Sequence, residues 1–260
     1  STRNLPYLLF LLITSFTLTA CTMSQQPIGN PEAPHPSVEK PSVGDVFHLP
    51  TGTKITAEQM SAAVTDARII YVGETHDNPA AHRLQLQLLQ AVAARYPGQV
   101  SLGMEMFNPT QQEVLDRWVA GELDEKAFLK EVNWVSSWKM DFAYYAEILR
   151  FARESQIPVI GLNATREMVQ QVGRYNLDEL DEELRQQLPE FSLEDAYQNA
   201  MVGAIYADHS QGKAMLDGFQ RIQTLWDETM AENIVKTLKD KGSEHHMVVM
   251  AGGNHVRYGY

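Results

Sequence analysis

The sequence holds one cysteine in 260 residues, at position 21. No intrachain disulfide can form and no thiolate cluster can hold a metal, so any metal chemistry falls to His, Asp, Glu and Tyr. Basic residues are also scarce: 21 Lys and Arg against 33 Asp and Glu leave a formal net charge of -12. Neutralising phosphates needs the opposite balance, which excludes nucleic acid as the main partner. The acidity itself reads most simply as a solvated surface. Long apolar runs are missing too: the stretch from Leu8 to Leu12 continues only weakly to Ala20, too short for a comfortable membrane span. There is no internal repeat. What remains is 44% apolar and 21% charged, the balance of an ordinary globular protein. The length suits one large domain or two small ones and is enough to bury a core.

The opening, STRNLPYLLFLLITSFTLTA, carries one arginine, no acid and a small-residue end. Residues 1–20 therefore read as a signal peptide. Cys21 follows Leu18-Thr19-Ala20, a stretch that resembles the lipobox of bacterial lipoproteins. That resemblance implies lipidation of Cys21 and a membrane anchor without a spanning helix; the plain alternative is a stray or buried thiol. Thr22 in place of aspartate points to the outer membrane of the cell envelope, facing the periplasm. Residues 21–44 carry five prolines and no periodic pattern, and read as a tether in which His35 needs no role. A single α/β domain is expected over 45–260.

That domain alternates strand and helix patterns. Apolar strand-like runs are Arg68–Gly73, Val100–Phe107, Ile157–Leu162 and Met247–Ala251. Asn78-Pro79 supplies a cap and a first helical residue for a helix to about Arg95. Helices are expected around 109–120, 125–132 and 141–155, and from Thr165. The stretch 177–240 has no strand signal and reads as a helical excursion, with LDELDEELRQQL as a solvated face. The fold expected is α/β, a mostly parallel sheet flanked by helices.

In such sheets ligands sit at the carboxyl ends of the strands. Glu74 and His76 follow the first strand, Glu105 lies near the end of the second, Asn163 and Arg166 follow the third, and His255 follows the fourth. One such group means little; four strands delivering polar groups to one rim is not a packing requirement. His76, just before a helix, is expected to be held neutral by the helix dipole, as ligation or base chemistry needs. Helix capping explains it equally well. Glu105 in an apolar strand is costly unless paired, with Arg166 as the plain partner, or bound to a cation. Near 216–240, Phe219, Ile222, Trp226, Met230 and Ile234 form one helical stripe. Gln223 lies inside it and Asp227 at its edge, either reaching the rim or bonded to each other. His82, His209, His245 and His246 read as surface residues. Tyr144 and Tyr145 read as core tyrosines with wet hydroxyls, although a tyrosinate can hold ferric haem. No helix is expected after the glycines of AGGNHVRYGY, so a phosphate cradle is discounted.

The segments VGETH, GMEMF, Trp138…Tyr145…Phe151-Ala152-Arg153, PVIGLNATRE, QTLWDETMAENI and AGGNHVRYG, in this order over residues 65–260, resemble the ChaN-like iron-regulated lipoproteins. These sit in a haem-binding-uptake and Tiki superfamily. The resemblance implies an envelope domain for haem or iron uptake, haem held by a tyrosinate between two chains of a homodimer, and an unidentified haem receptor. Tyr145, Tyr144 and Tyr206, in that order, are the candidate ligands, with Arg166 beside them. In the wider superfamily two Gly-x-x-His motifs serve divalent-metal hydrolysis; here they match Gly73–His76 and Gly252–His255. Relatives continue beyond the glycine-rich end, so truncation at Tyr260 is an expectation. Two functions follow as expectations: a haem-binding envelope lipoprotein, or a hydrolase with a divalent metal ion on His76, Glu105 and His255 and Glu74 as general base. A scaffold with a vestigial rim is the third.

Overall fold

Runs of β-branched and long apolar side chains become the four strands of one parallel sheet. The structure is a computed structural model and describes residues 40–190, 192–206 and 212–256. Residues 1–39, with the expected signal peptide, Cys21, most of the expected tether and His35, lie outside the described residues, as does His209. The chain divides into two units, residues 1–56 and 57–260. The first contains an antiparallel hairpin of β1 (Val46–His48) and β2 (Thr53–Ile55), which the sequence reading assigned to the domain beginning at 45.

The second unit is the α/β domain. In chain order it contains α1 (Ala57–Val64), β3 (Ile69–Glu74), α2 (Pro79–Arg95), β4 (Val100–Met104), α3 (Gln112–Val119), α4 (Glu125–Glu131), α5 (Trp134–Ser137), α6 (Ala146–Glu154), β5 (Val159–Gly161) and α7 (Arg166–Arg174). The excursion follows as α8 (Glu182–Gln187), α9 (Ala196–Tyr206) and α10 (Lys213–Lys241), and the chain returns through β6 (His246–Gly252) to α11 (Gly253–Val256). The sheet order is β3-β6-β4-β5, all parallel, so the last strand is inserted between the first two.

The sheet is covered on both faces, which is why β4 is buried at every position and lacks alternation. Along β6 the two-residue period divides the load. Val248 and Met250 join Leu89, Val92, Leu115, Trp118 and Leu149 beneath α2, α3 and α6. Met247, Val249 and Ala251 join Met230, Ile234 and Leu238 of α10. Each such Val, Leu, Ile or Met side chain contributes about 1.5–3 kcal/mol by leaving water. Asn78 caps α2 as expected, accepting from the Ala80 amide, with Pro79 in the first turn. At the other end of the sheet His245 is buried against Ser101 Oγ at 2.8 Å, and His246 starts β6 and stacks on Tyr96. Neither is the free surface histidine expected.

The two strands β4 and β5 run shorter than their apolar patterns. β4 stops at Met104, so Glu105 stands just past the strand, its amide bonded to Met250 O at 3.0 Å. The glycine-rich end does turn into a helix: α11, a single turn, corrects the expectation of none. Gly73 permits this, because a Cβ there would meet Val256 Cγ2 at 2.5 Å and Gly253 Cα at 3.2 Å.

Candidate functional site

The register decides what meets at the carboxyl edge. Glu74 pairs with Gly252 across β3 and β6, and Met104 pairs with Met250 across β4 and β6. Glu105 therefore lands on the other side of Gly252 from Glu74. A Cβ on Gly252 would lie 3.2 Å from His76 Cε1, 3.4 Å from Glu105 Oε2 and 3.5 Å from His255 Cδ2. Three side chains from three strand ends thus converge on the space that this glycine leaves open. The shared rim expected from the sequence is present.

Each histidine is steered by a carboxylate. His76 Nδ1 lies 2.7 Å from Glu74 Oε1; a carboxylate only accepts, so Nδ1 carries the proton and Nε2 is left over. Glu74 is itself fully enclosed, and its Oε1 also accepts from Tyr145 Oη at 2.9 Å. Trp138 Nε1 donates to Tyr145 Oη at 3.1 Å, and the His76 ring packs edge-on to Trp138 at 4.8 Å. His76, Glu74, Tyr145 and Trp138 thus form a closed ring of contacts that fixes the imidazole.

Behind this ring stands a group that the sequence reading placed on the surface. His82, in the first turn of α2, is buried, and its Nδ1 lies 2.9 Å from Glu74 Oε2 and 3.0 Å from Gln85 Oε1. Gln85 Nε2 donates to Val72 O, which sets its Oε1 towards His82. His82 Nε2 faces His76 O at 3.1 Å. Both ring nitrogens meet acceptors, so His82 is an imidazolium and the counter-ion of Glu74. The ring N–H is shared with Gln85, and Glu74 Oε2 has the ion pair without a directed hydrogen bond.

On the opposite side, His255 Nδ1 lies 2.5 Å from Asp227 Oδ1, and Nε2 lies 3.4 Å from Glu105 Oε1. Glu105 Oε2 accepts from the Gly252 amide at 2.6 Å. Gln223 Nε2 lies 3.3 Å from both Asp227 oxygens and 2.9 Å from His255 Nδ1. Gln223 and Asp227 of α10 therefore do both things the sequence allowed: they bond each other and they reach the rim.

The electrostatics follow these pairs. Burial alone would raise the Glu74 carboxyl, yet His76, His82 and Tyr145 hold it down to about 2. Burial alone would lower His255, yet Asp227 and Glu105 lift it to about 10. The hydrogen bond to Glu74 raises His76, against burial and with help from Glu105. This reverses the sign expected from the helix dipole: a bonded carboxylate outweighs a partial charge at the helix start. Glu74, the expected general base, is enclosed and engaged by His76, His82 and Tyr145.

The rim opens into a cleft of about 1440 Å³ walled by Met106, Phe107, Val132, Trp138, Val169 and Trp226 among others. The tyrosines sort differently from their expected order. Tyr145 is wholly buried, its hydroxyl is spent on Glu74, and burial and that negative charge push its phenol well up. It does not line the cleft. Tyr144 stacks on His82 outside the cleft lining. Tyr206 lines the cleft and stacks on Phe219 at 4.5 Å; burial, then Glu105, raises its phenol. Arg166, at the start of α7, is exposed at the cleft edge, and Glu105 pairs with His255 in its place. Among the described residues no three His, Cys, Asp or Glu side chains are arranged as a metal-holding group. The expected donors, His76, Glu105 and His255, have suitable chemistry and are engaged with carboxylates or with each other. Among the described residues no helix is long and apolar enough to cross a membrane.

Residues 60–260 match the family described as Haem-binding uptake, Tiki superfamily, ChaN. Among curated proteins, the chain is similar to protein RETICULATA-RELATED 5, chloroplastic, of Arabidopsis thaliana, at 24% identity over 212 residues. That match takes in 75% of this chain and spans only 28% of the relative's length. Among solved structures it is similar to one titled for cofacial heme binding to ChaN of Campylobacter jejuni, with a TM-score of 0.64 and 20% identity. The likeness covers 80% of this chain and 79% of that one, and establishes the shared fold.

Proposed function

This chain belongs to the Haem-binding uptake, Tiki superfamily, ChaN family, and from that membership and the cleft we propose that it binds haem for uptake at the cell envelope. The single observation that carries this reading is the cleft itself: the aromatic side chains Trp138, Tyr206 and Trp226 line it beside ordered imidazole and carboxylate groups. A haem presents a flat apolar ring, an iron that takes tyrosinate or imidazole, and anionic propionates. Tyr206 is the first candidate for the iron because its phenol lines the cleft. His76 is the second: its Nδ1 is held by Glu74 and its side chain is 37% exposed. The Arg166 guanidinium at the edge suits a propionate. The relative's title speaks of cofacial haem, and a second copy facing this cleft is the homodimer that such an arrangement asks for.

Titration of the purified chain with hemin tests the reading. A saturable Soret change is expected, with affinity reduced about tenfold or more in Tyr206→Phe or, if His76 holds the iron, in His76→Ala. No saturable change in the wild type removes the proposal. The anchor belongs to the same reading: lipidation of Cys21 would hold the domain at the outer membrane, facing the periplasm and a haem receptor. Cys21→Ser should then release the protein from the membrane fraction, and unchanged sedimentation would count against it.

One observation favours a second reading, divalent-metal-dependent hydrolysis of the peptidase or esterase type. Both Nδ1 atoms are engaged by carboxylates, the outer-sphere pattern that orients histidine ligands. Both Nε2 atoms and Glu105 would hold the ion, which supplies an activated water. Metal analysis with an esterase and peptidase panel tests this. Full turnover in a His76→Ala, His255→Ala double variant ends it.

A further inference from the structure

Asp227 has two oxygens, and only one is on His255. Its Oδ2 accepts from Gln198 Nε2 at 2.8 Å. Gln198 comes from α9, a helix of the excursion that contributes no strand, buries Val202 and meets α10 through the Tyr206–Phe219 stack. The amide cannot be turned round. Its Oε1 faces the Thr224 hydroxyl at 3.1 Å, and a reversed amide would set a carbonyl oxygen against the Asp227 carboxylate. Thr224 is buried, and its one hydroxyl proton is shared between Gln198 Oε1 and Gln220 O at 3.0 Å. A file therefore runs Thr224, Gln198, Asp227, His255, Glu105, Gly252 amide, from a peripheral helix to the floor of the cleft.

We infer that Gln198 is a positioning residue for the cleft: by holding Asp227 Oδ2 it keeps Oδ1 on His255 Nδ1 and so aims His255 Nε2 at the ligand space. A carboxylate one turn from the cleft on a long helix can take several rotamers, and Gln223, at 3.3 Å from both oxygens, does not discriminate between them. The 2.8 Å bond to Gln198 does. The same helix ends in Tyr206, so the side chain lining the cleft and the group steering His255 sit on one element. The inference rests on the reading that the cleft histidines face a ligand, but its first test needs no ligand.

In the full chain with selectively labelled histidine, the His255 Nδ1 proton should appear at low field and exchange slowly with water. Gln198→Met keeps the shape and removes the amide; exchange of that proton should speed up roughly tenfold or more, the scale of a hydrogen bond to a charged group. Thr224→Val should act in the same direction and more weakly. Val202→Ala loosens the packing of α9 without touching the amide and should leave the resonance in place. A wild type without the resonance, a Gln198→Met variant with wild-type exchange, or a Val202→Ala variant with the same loss as Gln198→Met would each overturn the inference. Hemin titration of the same variants separates the two claims. If the wild type takes no hemin while the exchange pattern holds, the haem reading falls and the positioning role stands.

Discussion

Asp227→Asn keeps the shape of the side chain and removes its charge. In the wild type, burial works against the His255 imidazolium, but Asp227 and Glu105 outweigh it and lift the pKa from 6.5 to about 10. A group raised on folding stabilises the native state fully below its unfolded pKa, and that contribution is lost as the pH climbs through the folded value. The window is therefore pH 6.5 to 10. Neutralising one partner of a buried pair costs about 3–5 kcal/mol. The Asp227 side chain is 25% exposed, so water recovers part of that cost. The expected loss at pH 6 is about 2 kcal/mol, or roughly 4–8 °C in Tm for a domain of this size. Above pH 10 most of the wild-type imidazole has lost its proton, and the gap between the two proteins should shrink to about 1 kcal/mol, the remainder being the pH-independent bond from Gln198 Nε2 to Asp227 Oδ2. Thermal or urea unfolding at pH 6, 8 and 10.5, followed by circular dichroism, measures it. A gap of the same size at all three values, or none at pH 6, would refute the reasoning that the pair is charged.

The remaining expectations concern the other half of the site and the core. Glu74→Gln strips the counter-ion from buried His82 and should cost about 3–5 kcal/mol at neutral pH. Because Glu74 is held down to about 2, its contribution is present above pH 4.5 and lost as the pH falls through 2. Acid unfolding of the variant should accordingly be flatter than that of the wild type between those values. Tyr145→Phe removes only the hydroxyl that joins Trp138 to Glu74, and urea unfolding should show a loss of about 1–3 kcal/mol. Gly252→Ala places a methyl 3.2 Å from His76 Cε1. Its stability should fall by no more than about 1–3 kcal/mol, while hemin affinity in a Soret titration drops more than that change explains. Leu89→Ala, with no exposed surface to begin with, should cost about 2–5 kcal/mol in the same unfolding assay.

The parts of this molecule that could be read from the chain are those with a local signature. Four apolar runs announced the strands, and Asn78-Pro79 announced α2, because cap chemistry and burial pattern are written in adjacent residues. Gln223 and Asp227 stood out because polar groups interrupt an apolar stripe on α10. His82 was misread because its partner, Glu74, is fixed by how α2 packs on β3, and no local pattern encodes that. Nothing local separates Tyr145 from Tyr206 as a haem ligand; only the tertiary structure turns the Tyr145 hydroxyl inward to Glu74 and sets Tyr206 in the cleft lining. Gln198 could not be found at all, since its role depends on where a separate helix docks. The sign of the His76 shift was missed for a related reason: the helix dipole is visible in the sequence, whereas the carboxylate that overrides it becomes a partner only through the geometry of the turn after β3.

The decisive measurement is the structure of the hemin-loaded chain. The expected result is iron in the cleft at the carboxyl ends of β3, β6 and β4, ligated by Tyr206 or His76, with Glu74 and Asp227 still bonded to their imidazoles. Iron bound away from that rim, with His76, Glu105 and His255 untouched, would contradict it.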